Sequence, residues 1–152
     1  MNSLENLIIR LARKEEYKDV SLLNHIFLKE DICYGITCDD EDFYNDKDVF
    51  VAIVNDKIVG YGYGTIEEKT KDSSFYKKNE KSLYLEELFV LREYRGVGIG
   101  SRLFKELEKY AKDKGCQYFE LSTGTKDYER ALNFYIKKMK ATHWSSYLIK
   151  NI

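Results

Sequence analysis

Three glycines at alternate positions, Gly96, Gly98 and Gly100, follow an apolar run and lead straight into an amphipathic stretch, with Arg95 just before them and Ser101 just after. A strand that turns through glycines into a helix can bind an anion. The first N–H groups of the helix have no acceptors of their own, and the helix dipole favours negative charge there. Glycine lets a ligand approach the backbone closely and accepts φ > 0. The segment Arg95, Gly96, Val97, Gly98, Ile99, Gly100 and Ser101 therefore reads as a phosphate cradle, with Arg95 either a cation at its mouth or a structural cation on a nearby carbonyl. Glu86 and Glu87 lie on the strand that enters it, flanked by Leu85 and Leu88. Carboxylates in mid-strand beside a cradle are candidates for moving a proton or holding a cation. Neighbours on a strand point to opposite faces, so at most one of the two faces a cleft unless the strand is bulged.

Two well-known cradles do not fit. A P-loop needs Gly-x-x-x-x-Gly-Lys followed by Ser or Thr, but Gly100 is followed by Ser101 and Arg102. A dinucleotide fingerprint needs Gly-x-Gly-x-x-Gly after the first strand of a βαβ unit, but position 101 is Ser and the glycines lie late in the chain. A third pattern, Arg-x-x-Gly-x-Gly after a strand ending apolar-Val, is met by Arg95, Gly98 and Gly100 behind Leu88-Phe89-Val90. This resembles the pyrophosphate-binding motif of the GNAT superfamily of acyl-CoA-dependent N-acetyltransferases.

The resemblance implies a mechanism and its parts. Acetyl-CoA would be the co-substrate, with direct attack by a primary amine in a ternary complex and no metal. The backbone of Leu88, Phe89 and Val90 would pair with the pantetheine arm, and one N–H there would polarise the thioester carbonyl. Residues 96–101 would hold the pyrophosphate, and Tyr128 and Asn133 would lie along the cofactor. Tyr135, after Phe134, would face the sulfur and give the leaving thiolate its proton. The match around Leu85-Glu86-Glu87 is closest to spermidine/spermine-type enzymes and favours Glu86 as base or acceptor-binding group, with Glu87 second. A base is useful because an amine of pKa ~10.4 is almost wholly protonated at neutral pH. The chain departs from the family pattern at Tyr128, where Asn is common, and at Met139-Lys140, where Gly-Phe or Gly-Ala is common.

The acceptor side is less determined. Residues 39–48 carry Asp39, Asp40, Glu41, Asp42, Asp46 and Asp48 with Phe43 and Tyr44 between them, and Glu30-Asp31 lies nearby. Acid and aromatic groups together suit a polyamine or an aminoglycoside. A peptide or protein N-terminus is an alternative acceptor, and an acyl-CoA sensor or binding module is an alternative function. The halves of the chain differ in charge: residues 1–90 hold 12 basic and 19 acidic side chains, and residues 91–152 hold 13 and 7. A basic second half suits a phosphorylated cofactor, and an acidic first half suits a cationic acceptor.

The remaining sequence supplies the elements that must position these groups. At 152 residues, 43% hydrophobic and 34% charged, the expectation is a single acetyltransferase domain over residues 1–152. No apolar run approaches a membrane span of ~20 residues, and residues 1–10 lack a secretory pattern. Three cysteines without C-x-x-C spacing suit a reducing compartment, so a cytoplasmic location is expected. Two histidines make a metal site unlooked-for, and the absence of a basic aromatic motif argues against nucleic acid. Periodicity predicts strands over 6–13, 49–54, 58–66, 82–90, 117–122 and 141–149. It predicts helices over 14–29, 100–114 and from Asp127 onward, with a short helix or a loop within 31–48. Gly60, Gly62 and Gly64 on one strand face imply that something packs very close. The fold class is α+β. The resemblance implies the GNAT arrangement: a mixed, mostly antiparallel central sheet with helices on both faces and a splayed cofactor cleft, with a homodimer as the expected assembly.

Overall fold

The computed structural model describes residues 6–152; the first half of the 1–10 stretch examined for a secretory pattern lies outside them. Five strands, β1 (Ile8–Leu11), β2 (Val49–Val54), β3 (Lys57–Glu68), β4 (Lys81–Val90) and β5 (Tyr118–Leu121), lie side by side in chain order. The first three pairings are antiparallel and β4–β5 is parallel. Hairpin β2–β3 closes through Asn55-Asp56, both at positive φ, the conformation that two-residue hairpin loops prefer. The parallel crossover from β4 to β5 is made by α2 (Ile99–Asp113), which ends at Gly115 in the left-handed region.

The alternation along β3 decides what covers each face. Its glycine face receives α2: a Cβ on Gly62 would stand 3.1 Å from Leu107 Cδ1 and 2.9 Å from Leu88 Cδ1. The close packer implied by the glycine row is thus α2 together with β4. The opposite face presents Tyr61 and Tyr63, both buried, toward α1 (Tyr17–Glu30), whose Val20, Leu23 and Phe27 join the core. Phe27 stacks on Phe89 of β4 at 4.6 Å. Helices therefore cover both faces. A short helix, α3 (Tyr128–Leu132), is capped by the Asp127 carboxylate and continues as a π-helical turn, Asn133–Lys138.

Of the two alternatives for 31–48, the structure shows a loop with a single 3-10 turn, Glu41–Tyr44, and Tyr44 is wholly buried against Tyr17 and Tyr63. One expectation needs correction. No strand forms over 141–149. Trp144 rests its ring on Phe75 and Tyr76, but Tyr147, Leu148 and Ile149 are 95%, 88% and 77% exposed. An apolar, β-favouring composition makes a strand only where a neighbour supplies the ladder and the packing. Among the described residues no helix is long and apolar enough to cross a membrane. Nor does any group of three or more His, Cys, Asp or Glu side chains there suit a metal ion.

Candidate active site

The parallel pairing of β4 with β5 runs from Ser82↔Tyr118 to Leu85↔Leu121 and stops. From Glu86 to Val90, β4 keeps β3 on one side and has an open edge on the other. A strand with backbone groups exposed along a cleft can accept an extended ligand as a further strand. The cleft so formed measures about 890 Å³. One end is the glycine turn, the middle is the open stretch of β4 facing Tyr135, and the other end holds Glu86 and Glu87.

At the turn end, Gly98 has φ +93° and serves as the N-cap of α2, with no side chain capping the helix. A Cβ built on Gly98 or on Gly100 would meet no atom within 4 Å. The glycines are thus not accommodating protein atoms; the space above them is open and faced by the unpaired N–H groups of the first helical turn. This fits a phosphate ligand. Ser101 is buried at the same place.

Arg95 is not a free cation. Its Nε donates to the Val90 carbonyl at 2.7 Å, its Nη2 pairs with Glu30 at 2.7 Å, and its guanidinium lies over the Phe89 ring. Of the two roles open for it in the sequence, the structural one is met: it ties the end of β4 to the end of α1. Arg130 and Lys138, both exposed, line the cleft as well as Arg95, with Lys138 Nζ 5.9 Å from the Phe134 ring centre. Sequence reasoning missed them, although 127, 130, 131, 134, 135 and 138 repeat at helical spacing on one face. Tyr128 and Asn133 fall off that face; Tyr128 is 62% exposed and neither lines the cleft. Val97 does not line it either.

Midway along, Leu88, Phe89 and Val90 line the cleft. Tyr135, carried on the π-helical turn, packs its ring against Phe104 and Phe134. Burial, with the nearby Cys33 adding, pushes its phenol up to about 12. A hydroxyl that stays protonated over the whole working range is suited to donate.

Glu86 and Glu87 both reach the cleft, and a bulge is the reason. Tyr63 pairs with Glu87 and Gly64 with Leu85, leaving Glu86 as the extra residue. Bulges re-aim side chains in this way. The Glu86 carboxylate accepts from Thr65 Oγ1 at 2.6 Å and is exposed. Glu87 is half-buried and accepts from the Tyr61 hydroxyl. Burial raises the Glu87 carboxyl above the ordinary carboxylate range; the Tyr61 hydrogen bond and Asn24 oppose this, and the Asp39 and Glu86 charges add to it. Of the two carboxylates, Glu87 is thus the partly buried one, backed by the Tyr61 hydroxyl, and Glu86 the exposed one.

The far wall is not the acidic 39–48 segment but residues 31–36, just after α1. The acidic segment is held back because Asp39 is pinned to α1, its N–H donating to Asn24 Oδ1 at 2.9 Å and its carbonyl accepting from Ser21. Residues 32–34 are strapped across the cleft to the loop after β5. Cys33 bridges Thr125, Tyr34 N–H donates to Gly124 O at 2.8 Å, and Lys126 N–H donates to Ile32 O at 2.9 Å. A Cβ at Gly124 would lie 2.7 Å from Tyr34 O, so glycine permits the crossing.

The sequence model described as "Acetyltransferase (GNAT) family" matches residues 9–140. The chain belongs to this family. Among curated relatives, a thialysine N-epsilon-acetyltransferase from Sus scrofa is 48% identical over 42 residues, covering 28% of this chain and 25% of that protein. An uncharacterised N-acetyltransferase from Archaeoglobus fulgidus is 36% identical over 91 residues, covering 59% and 58%. The chain thus spans a quarter to somewhat over half of the length of these relatives. Solved structures share the fold: an aminoglycoside acetyltransferase from an uncultured soil metagenomic sample, in complex with trehalose, superposes with TM-score 0.75 at 20% identity, covering 99% of each chain. A ribosomal-protein-alanine N-acetyltransferase from Brucella melitensis biovar Abortus 2308 gives 0.70 at 18%, covering 97% and 100%.

Proposed function

We propose that this GNAT-family chain is an N-acetyltransferase that uses acetyl-CoA to acetylate a cationic primary amine. The observation that carries the reading is the single cleft that joins a phosphate-fitting glycine turn to two carboxylates. Acetyl-CoA, when bound, supplies an acetyl group already activated as a thioester. The turn over residues 96–101 and the charges of Arg130 and Lys138 hold its phosphates. The open edge of Leu88, Phe89 and Val90 aligns its arm and offers an N–H to the thioester carbonyl. At the other end Glu86 and Glu87 attract the acceptor's ammonium, and Glu87 takes its proton so that a neutral nitrogen faces the acetyl carbon. Tyr135 protonates the departing sulfur.

Both carboxylates, with Asp39 behind Glu87, favour a small acceptor of more than one positive charge. A polyamine fits, and so does a lysine-like side chain of the kind named in the thialysine relatives. The test is thiol release from acetyl-CoA across polyamines, lysine analogues, aminoglycosides and peptide N-termini, with mass spectrometry of the products. Release with the slender cations and a singly acetylated product is expected. Thermal stabilisation by CoA with no acetylated product from any amine would instead make the chain a binding module.

A further inference from the structure

The side chains behind Glu87 have no part in the reaction as described. Tyr61 is wholly buried on β3 and does not line the cleft, yet its hydroxyl donates to Glu87. Asn24, wholly buried on α1, has its Oδ1 committed to the Asp39 N–H. Its Nδ2 is a buried donor with no well-formed hydrogen bond of its own. Fixing the amide oxygen on Asp39 turns the amino group away from Asp39, and its influence on the protonation of Glu87 favours the ionised carboxylate. An amide donor buried at this cost is stabilised by a negative charge in front of it.

We propose that Tyr61 and Asn24 are positioning residues of the transfer reaction: from behind β4, the phenol and the amide hold the Glu87 carboxylate ionised and aimed into the cleft. The proposal rests on Glu87 being the base. It assigns to α1 and β3 a role in proton transfer without contact with either substrate.

The charges around Glu87 make the arrangement necessary. Asp39 on the loop after α1 and Glu86 on β4 repel its ionised form. Burial raises the phenols of Tyr44 on the 3-10 turn and Tyr63 on β3 and the thiol of Cys33 on the strap, and the Glu87 charge adds to each. These phenols and the thiol are neutral at working pH and give no counter-charge. Among the described residues Glu87 forms no ion pair with a lysine or arginine. The Tyr61 hydroxyl donates to the carboxylate and Asn24 favours its ionised form likewise, so removing either should make Glu87 harder to deprotonate.

The test is the pH dependence of kcat/KM on the full chain, with the best amine from the panel, for the native protein and for Tyr61→Phe, Asn24→Ser and Glu87→Gln. Tyr61→Phe keeps the ring and the packing, and loses one hydrogen bond to a charged group. The acidic limb should move up by about one pH unit, while KM for acetyl-CoA stays put. Asn24→Ser should move the limb in the same direction. In Glu87→Gln the limb should vanish. If Glu87→Gln keeps the native limb, Glu87 is not the base and the reading beneath the proposal fails. If Glu87→Gln loses the limb but Tyr61→Phe, folded by its melting curve, leaves it unmoved, the positioning role alone is overturned. Tyr61→Phe guards the test against Asn24→Ser failing to fold.

Discussion

The two ends of the cleft are built by different means. The glycine end is local: seven consecutive residues, 95–101, make a turn that presents backbone N–H groups with open space above its glycines. The carboxylate end is assembled at long range, from Asn24 on α1, Asp39 after it, Tyr61 on β3 and Glu87 on β4. The first is defined by what is missing above the glycines, the second by which side chains are brought together. A local device tolerates change elsewhere in the fold. An assembled one depends on every element that carries a part.

This contrast orders the expected effects. Glu87→Gln removes the group on which the assembled end converges and should lower kcat by about 10²–10⁴-fold while leaving CoA affinity intact. A drop shared equally by kcat and CoA binding would mean that the two ends are not separable. Gly98→Val puts a β-branched residue at φ +93°, a conformation costing ~1–3 kcal/mol. Calorimetric titration with CoA should then show about ten- to a hundredfold weaker binding, and normal affinity would remove the turn from the cofactor site. Tyr135→Phe should lower kcat about tenfold, toward the weak end of general-acid effects because thiolate leaves readily, with CoA affinity unchanged. Unaltered turnover would take Tyr135 out of the reaction. The smallest effect is expected from Arg130→Ala combined with Lys138→Ala. These exposed cations should contribute about three- to tenfold to CoA affinity at low salt, and the difference should fade as salt is added. A salt-independent loss would mean that they act through packing.

The acid limb follows in sign from the same chemistry. Glu87 must be ionised to take a proton, and burial lifts its pKa above the ordinary ~4.3 of a glutamate. Activity should therefore fall as pH drops through a value above that, not below it.

The same contrast explains what was legible in the sequence. The glycine turn could be read from spacing because its geometry is local, and β2 could be bounded at Val49–Val54 because it is apolar throughout. The glycine row on β3 announced a close neighbour, found as α2. What escaped depends on distant partners. No local pattern marks the bulge at Glu86 that lets two adjacent carboxylates share a cleft. None reveals that Arg95 spends its charge on Val90 and Glu30, or that Asp39 is drawn back onto α1 while residues 31–36 form the wall. Residues 141–149 have a strand's composition and no strand beside them.

The central claim is direct transfer between two ligands held together in this cleft. It is tested most directly by initial velocities measured while acetyl-CoA and the acceptor amine are varied against each other, with intact-mass spectrometry of the protein after acetyl-CoA alone. Cys33 lies in the cleft near Tyr135 and Glu87, so a covalent route through its thiol is a concrete alternative. Direct transfer predicts intersecting reciprocal plots and an unmodified protein. Parallel plots with an acetyl group on Cys33 would contradict it.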